Sequence, residues 1–273
     1  MKVIAVGDNI IDRYVDQLMN YPGGNALNVA VFSKRYEAKK SSYIGIIGND
    51  EGGEHIEATL LDEEIDVSRL RKVIGESGKT KVIVNKEGDR VFDSWNYGGV
   101  QSLVKIKLSE EDINFIKEHQ ILHSSVYSYS ENLLPLLYRH IFLSFDFSTK
   151  KDRSYLEKIC PYLTFAFYSG SETSQKECLE LINTSHKLGT SNVIITRGKK
   201  GALFSNGKNI YEQPSIETKV VDTLGAGDSF IAKFLIQFHL TNNPKLSLEK
   251  AVEAASDTCK YFGAFGYGRL SAK

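Results

Sequence analysis

Short β-branched and apolar runs alternate along most of the chain with longer stretches in which apolar residues recur every three or four positions. The first pattern is that of buried strands, the second that of helices with one face against a core. Strands are predicted over 2–6, 42–47, 121–126, 142–147, 164–168 and 193–196. A hairpin joins 202–205 to 209–213 about Asn206-Gly207, a dipeptide that accepts the positive φ angles of a tight turn. Helices are predicted over 25–35, 53–62, 110–119, 131–139, 171–188, 227–239 and 247–262, the third opened by Ser109 and Asp112 at capping-box spacing. Such alternation predicts an α/β protein: a doubly wound, mainly parallel sheet flanked by helices, as one domain over 1–273.

Two segments break the alternation, about 11–22 and 79–97. In the second, Lys81-Val82-Ile83-Val84 and Val91-Phe92-Asp93-Ser94-Trp95 flank a turn at 85–89. Strands with no crossover helix between them pair antiparallel, so these segments predict a small separate sheet. It is either a lid over a ligand site or a decoration at the edge of the main sheet.

Composition narrows the function. A chain of 273 residues, 41% hydrophobic, suits one large globular domain. Its 34 basic side chains balance 34 acidic ones, which leaves no general attraction for a phosphate backbone or an anionic bilayer. Nucleic-acid and membrane partners are therefore not expected. No apolar run approaches the roughly 18 residues that span a bilayer, and the stretch from Met1 to Asp8 turns polar too early for a signal peptide, so a cytoplasmic protein is expected. Cys160, Cys178 and Cys259 lack C-x-x-C spacing and read as plain thiols. His119 and His123 lack the Glu of an H-E-x-x-H site, and a structural metal is not expected.

The most informative stretch runs from Val220 to Phe230: a strand end, the glycine-rich Gly225-Ala226-Gly227, then a helix with apolar Phe230, Ile231, Phe234, Leu235 and Phe238. The first N–H groups of such a helix have no partner within it, and its dipole makes that end electropositive. Small residues there let a phosphate approach the main chain. Asp228 stands beside this anion site as a carboxylate held ionised by the same field, placed to orient a hydroxyl and accept its proton, the basic need of a small-molecule kinase. The alternative is that the glycines only turn the chain and Asp228 only caps the helix. Gly78-Lys79-Thr80 imitates the end of a P-loop, but Val73 stands where the first Gly belongs. Gly225-Ala226-Gly227 begins like a dinucleotide fingerprint, but Phe230 occupies the third Gly position.

A second stretch, Gly23-Gly24-Asn25-Ala26-Leu27-Asn28, leads two glycines into a helix with two carboxamides in its first turn. These suit close approach to a ligand and hydrogen bonding to sugar hydroxyls, or else a hinge with an Asn cap. Asp8 and Asp12 follow the first strand, where open α/β sheets place ligand contacts, although either would also cap a turn.

Asp222-Thr223-Leu224-Gly225-Ala226-Gly227-Asp228 resembles the D-T-x-G-A-G-D signature of the ribokinase (PfkB) family of sugar kinases, and Gly23-Gly24-Asn25 with Asn28 resembles its N-terminal glycine motif. The resemblance extends over essentially the whole chain. Gly7-Asp8-Asn9, Asp89-Arg90-Val91-Phe92, Phe145-Asp146-Phe147-Ser148 and Phe165-Ala166-Phe167 resemble the fructoselysine 6-kinase branch, which phosphorylates the 6-hydroxyl of the sugar in a fructosamine.

The resemblance implies a ribokinase-like fold with a small β lid, and ATP-dependent, magnesium-requiring transfer to a sugar hydroxyl. It makes Asp228 the base and the amides of Gly225, Ala226 and Gly227 the anion hole. Asp12, Gly24, Asn25 and Asn28 would hold the sugar, with Arg90 reaching in from the lid unless it is a solvated turn residue. Thr196, Gly198 and Gly201, in a stretch resembling the family's T-x-G-x-x-G loop, would serve the nucleotide, Gly201 alternatively serving only the turn; ATP would lie along a groove beside 218–221. The family's N-x-x-E motif falls on Ser169-Gly170-Ser171-Glu172, so Glu172 would reach magnesium through water without the usual Asn, or else simply favour a helix start. The alternatives are another acceptor (ribose, fructose, a deoxy sugar acid or a nucleoside) and a non-catalytic sugar- or nucleotide-sensing protein. An intact Asp228 beside an intact loop argues against the sensor. Tyr14, Phe92, Trp95 and Tyr97 in the lid would equally suit a homodimer joined through it, and a monovalent-cation requirement stays open.

Overall fold

The first strand, Lys2–Val6, lies between Lys40–Ile44 and Ile121–Ser125, parallel to both. This computed structural model describes residues 1–84, 90–94 and 96–271, apart from the side chains of 84, 90–92 and 94. From Lys2–Val6 the main sheet continues outward through Ile121–Ser125, Phe142–Asp146, Phe165–Ser169 and Asn192–Thr196, all parallel, and closes with the antiparallel pair Ala202–Ser205 and Ile210–Gln213. Apolar clusters cover both faces. Leu27, Phe32, Phe167 and Phe234 belong to one, and Ile116, Phe145, Tyr168 and Leu181 to the other. Because the chain leaves Lys2–Val6 first towards Lys40–Ile44 and later returns on the other side at Ile121–Ser125, the strand order reverses there. A crevice opens at such a point beyond the strands' carboxyl ends.

The segments that broke the alternation form a separate sheet in the order Arg269–Leu270, Met19–Gly23, Ile10–Tyr14, Lys79–Val84, Arg90–Ser94. Both hairpins are antiparallel as expected, whereas Ile10–Tyr14 and Lys79–Val84, which have helices between them in the chain, run parallel. Arg269–Leu270 was not anticipated: two residues carry no periodicity. The turn at 85–89 and Trp95 lie outside the described residues.

Local chemistry moved several boundaries. The strand predicted over 42–47 breaks at Gly45, where a Cβ would fall 2.3 Å from the Tyr43 hydroxyl; Ile46–Gly48 instead pairs with Arg71–Val73. The helix predicted over 131–139 contracts to Leu134–Leu137, because Pro135 lacks the N–H needed to continue a helix begun earlier and is tolerated only in a first turn. The helix predicted over 171–188 starts at Gln175, fixed by a capping box between Ser174 and Glu177. The last predicted helix instead spans Pro244–Thr258, with Asn243 as its cap. The two-turn helix Arg153–Ile159, cut short before Pro161, escaped the pattern. The predicted box at Ser109 and Asp112 is present.

Candidate active site

Asp8 organises the crevice. Its carboxylate accepts from the main-chain N–H groups of Asn25 (2.6 Å) and Ala26 (3.2 Å) and from the hydroxyls of Ser125 (2.9 Å) and Ser128 (2.7 Å). It thus caps the Asn25–Arg35 helix from the end of the first strand, a favourable place for a negative charge. Gly24 makes this approach sterically feasible: its φ is +110°, and a Cβ would lie 2.6 Å from the Asn9 Cα.

With the helix start fixed, its first turn presents two carboxamides to the Ala226–Thr241 helix packed against it. Asn25 Nδ2 donates to Asp228 Oδ1 at 2.7 Å and to Asp146 Oδ2 at 2.9 Å, and Asn28 Nδ2 donates to Asp228 Oδ2 at 2.6 Å. Asp228 lies in the first turn of its helix but makes no capping bond; Gly225 is the cap residue, in the left-handed region with φ +75°. The reading of Asp228 as a mere cap is therefore set aside. Asn28 Oδ1 is buried and accepts from no described protein donor, which leaves an acceptor beside Asp228.

The expectation that the helix field holds Asp228 ionised is overturned. Both Asp228 and Asp146 are half-buried, yet enclosure by protein pushes Asp228 up to about 8, with Asp146 and Asp8 adding to the rise against the pull of the Asn28 and Asn25 amides. Burial likewise pushes Asp146 up to about 7, helped by Asp8 and opposed by the Ser148 N–H and Asn25. Desolvation and like charges outweigh a partial dipole charge that fades within one helical turn.

The glycine-rich loop joins this cluster to a groove of about 730 Å³ whose lining includes Thr196, Gly198, Gly201, Thr218, Val220 and Gly227. The residues expected at the nucleotide thus share one surface. The glycines differ in kind. A Cβ on Gly201 would lie 1.9 Å from the Gln213 carbonyl and one on Gly225 2.5 Å from the Ala264 Cβ, whereas a Cβ on Gly227 would meet nothing within 4 Å. The Ala226 N–H already donates to the Thr223 carbonyl at 3.3 Å, so an anion would have to share it.

The other expected residues differ in what surrounds them. Asp12 is buried on Ile10–Tyr14; a Cβ on Gly23 would fall 2.3 Å from its carboxylate. The Arg90 side chain lies outside the described residues. Glu172 is exposed in the turn before the Gln175–Lys187 helix, two residues short of its cap, so the helix-start explanation for an acid there does not hold. It lines a cleft of about 540 Å³ with Ser169 and Lys151. Among the described residues no three His, Cys, Asp or Glu side chains gather as a metal cage. Glu177 and Glu180 line the same cleft, and exposed carboxylates of this kind fit a hydrated magnesium ion held chiefly by phosphates.

In the sequence Asp146 has no role beyond a family-like motif and His123 none beyond an incomplete metal pair. The ring of His123 is fully buried, with Nε2 2.9 Å from Asn25 Oδ1 and Nδ1 2.9 Å from the Ser144 hydroxyl. A lone His in an apolar run reads as core, and Asp146 closes such a run; only the register that sets Ser144 beside His123 brings them to Asn25.

A family model described as pfkB family carbohydrate kinase matches residues 2–162 and 163–266. The chain is 49% identical to a fructosamine kinase of Bacillus subtilis, over 98% of this chain and 94% of that one. It is 31% identical to a fructoselysine 6-kinase of Escherichia coli, over 97% and 100%. A ribokinase of Arabidopsis thaliana, solved with ribose and ATP, shares the fold with a TM-score of 0.83 at 18% identity, covering 97% of this chain and 95% of that one.

Proposed function

The chain belongs to the pfkB family of carbohydrate kinases, phosphotransferases that act on a sugar hydroxyl with ATP as co-substrate, and we propose that its acceptor is the 6-hydroxyl of fructoselysine or a related fructosamine. The similarity to a fructosamine kinase and to a fructoselysine 6-kinase supports this acceptor. The observation that carries the mechanism is the Asp228 carboxylate, held by two carboxamides where the groove meets the helix start.

In this mechanism Asp228 takes the proton of the acceptor hydroxyl as its oxygen bonds to the γ-phosphorus of ATP. The bond from that phosphorus to the bridging oxygen breaks, and ADP leaves. A carboxyl raised to about 8 is a stronger base than an ordinary one. The N–H groups of Gly225 and Gly227, with that of Ala226 in part, face the transferring group at the positive end of the helix. Asn25, Asn28, Gly24 and Asp12 surround the sugar, and the small sheet acts as its lid. Thr196, Gly198 and Gly201 border the nucleotide. Magnesium, reached by Glu172 through water, would neutralise phosphate charge. Of the lid aromatics expected at such a contact, Tyr14 is buried and does not serve it, whereas the exposed Tyr97 supports a homodimer joined through the lid, which light scattering tests.

The test is ATP- and magnesium-dependent phosphate transfer to fructoselysine, fructose, ribose and a nucleoside, with and without a monovalent cation, using Asp228→Asn as control. Transfer to fructoselysine that collapses in the variant is expected. Transfer only to another acceptor would overturn the fructosamine assignment.

A further inference from the structure

The Asn25 carboxamide has one oxygen and one nitrogen, and its orientation decides whether Asp228 meets a donor or another acceptor. With the nitrogen turned towards the acids, both of its protons are committed, one to Asp228 and one to Asp146. Its oxygen then needs a donor, and the partner within hydrogen-bond distance is His123 Nε2 at 2.9 Å. That nitrogen must carry the ring proton, so Nδ1 must accept, and the Ser144 hydroxyl at 2.9 Å supplies the hydrogen. The chain is closed at every atom: Ser144 Oγ–H to His123 Nδ1, His123 Nε2–H to Asn25 Oδ1, and Asn25 Nδ2–H to each acid.

We propose that His123, kept in its neutral Nε2–H form by Ser144, is a positioning residue that fixes the orientation of the Asn25 carboxamide and through it sets the proton affinity of Asp228. This inference rests on the reading of Asp228 as the base. The geometry supports it in three ways. His123 and Ser144 are register partners on adjacent parallel strands, so the ring is held by the sheet itself. Both are fully buried, so neither ring nitrogen turns to solvent for an alternative partner. Burial also keeps the ring neutral, lowering it to about 3. Around the amide the titratable groups are Asp8 at the helix start, Asp146 beside Ser144, Asp228 across the crevice, and Tyr127, whose hydroxyl donates to Ser148 at 3.0 Å. A reversed Asn25 would set its oxygen against Asp146 and Asp228 and withdraw hydrogen bonds that now lower the proton affinity of both.

The first readout is the ring nitrogen spectrum of the wild-type protein, with the His123 signals assigned by their absence from His123→Gln. An Nε2–H tautomer, neutral from pH 5 to 8, is expected; an Nδ1–H tautomer or a charged ring would overturn the proposal. The second is the pH dependence of kcat in His123→Phe, where kcat should fall about 10–100-fold with KM for ATP unchanged. Its ascending limb should move about 0.5 unit or more to higher pH, because losing a hydrogen bond to the ionised form raises a carboxyl. An unmoved limb, or a KM for ATP rising in step with the loss of kcat, would reduce His123 to packing and overturn the proposal. Should that variant not fold, Ser144→Ala carries the same test, with a smaller shift of the limb in the same direction. If Asp228→Asn kept full activity, the base reading would fall, while the wild-type tautomer would still decide the His123–Asn25 bond.

Discussion

The hydroxyl of Tyr14, on the small sheet, donates to the carboxylate of Asp222, the first residue of the glycine-rich signature. Asp222 is fully buried and also accepts from the N–H groups of Leu224 (2.7 Å) and Gly263 (3.0 Å). One side chain therefore ties the separate sheet to the loop that carries Asp228. Removing the hydroxyl takes a donor from a buried acceptor, which costs about 1–3 kcal/mol. Tyr14→Phe should lower the melting temperature by about 2–4 °C per kcal/mol lost. A melt indistinguishable from wild type would mean that the bond contributes nothing.

Replacing Asp228 by Asn should reduce kcat by about 10²–10⁴, the range for loss of a general base. The same change should stabilise the fold. Between the ordinary carboxylate range and about 8, the folded protein holds a proton at Asp228 that the unfolded chain has released, so stability falls as pH rises through that window. The melting-temperature advantage of Asp228→Asn over wild type should therefore widen from pH 5 to pH 8. An advantage that stays constant would show that Asp228 is not raised.

Asp146 adds to the rise at Asp228 by its charge. Asp146→Asn removes that charge, so the ascending limb of kcat against pH should move to lower pH, opposite to the movement expected for His123→Phe. Coincident profiles for Asp146→Asn and wild type would show that the acids do not communicate.

The two loop glycines should part company when each is given a methyl group. Gly225→Ala forces a left-handed residue against Ala264 and should cost about 1–3 kcal/mol. Gly227→Ala meets open space, so it should leave the melt nearly unchanged while raising KM for ATP at the groove. Equal melting temperatures for the two variants would contradict this division.

Much of the site was legible where backbone chemistry forces residue choice. Gly24 and Gly225 sit at positive φ against neighbouring main chain, so the sequence has to mark both helix starts, and Asn25, Asn28 and Asp228 ride in the first turns that follow. Gly198 and Gly201 sit at positive φ in the tight turn after the strand that ends at Thr196, a loop singled out by its resemblance to the family's T-x-G-x-x-G stretch. Asp146 and His123 carry no such mark, since their roles come from sheet register and helix packing between distant parts of the chain. The charge state of Asp228 was misread for the same reason: a helix dipole is visible locally, whereas two other acids in the same crevice are not. The parallel pairing of Ile10–Tyr14 with Lys79–Val84 likewise depends on where the intervening helices dock.

Asn25 and Asp228 touch at 2.7 Å, yet about 200 residues of chain separate them. At about 5–20 residues per second, a ribosome takes roughly 10–40 s to travel from one to the other. During that interval the growing polypeptide holds the Asn25 amide but neither Asp228 nor the glycine loop. On the proposed mechanism, a chain cut short between the two codons would lack both the carboxylate and the loop that phosphate transfer needs.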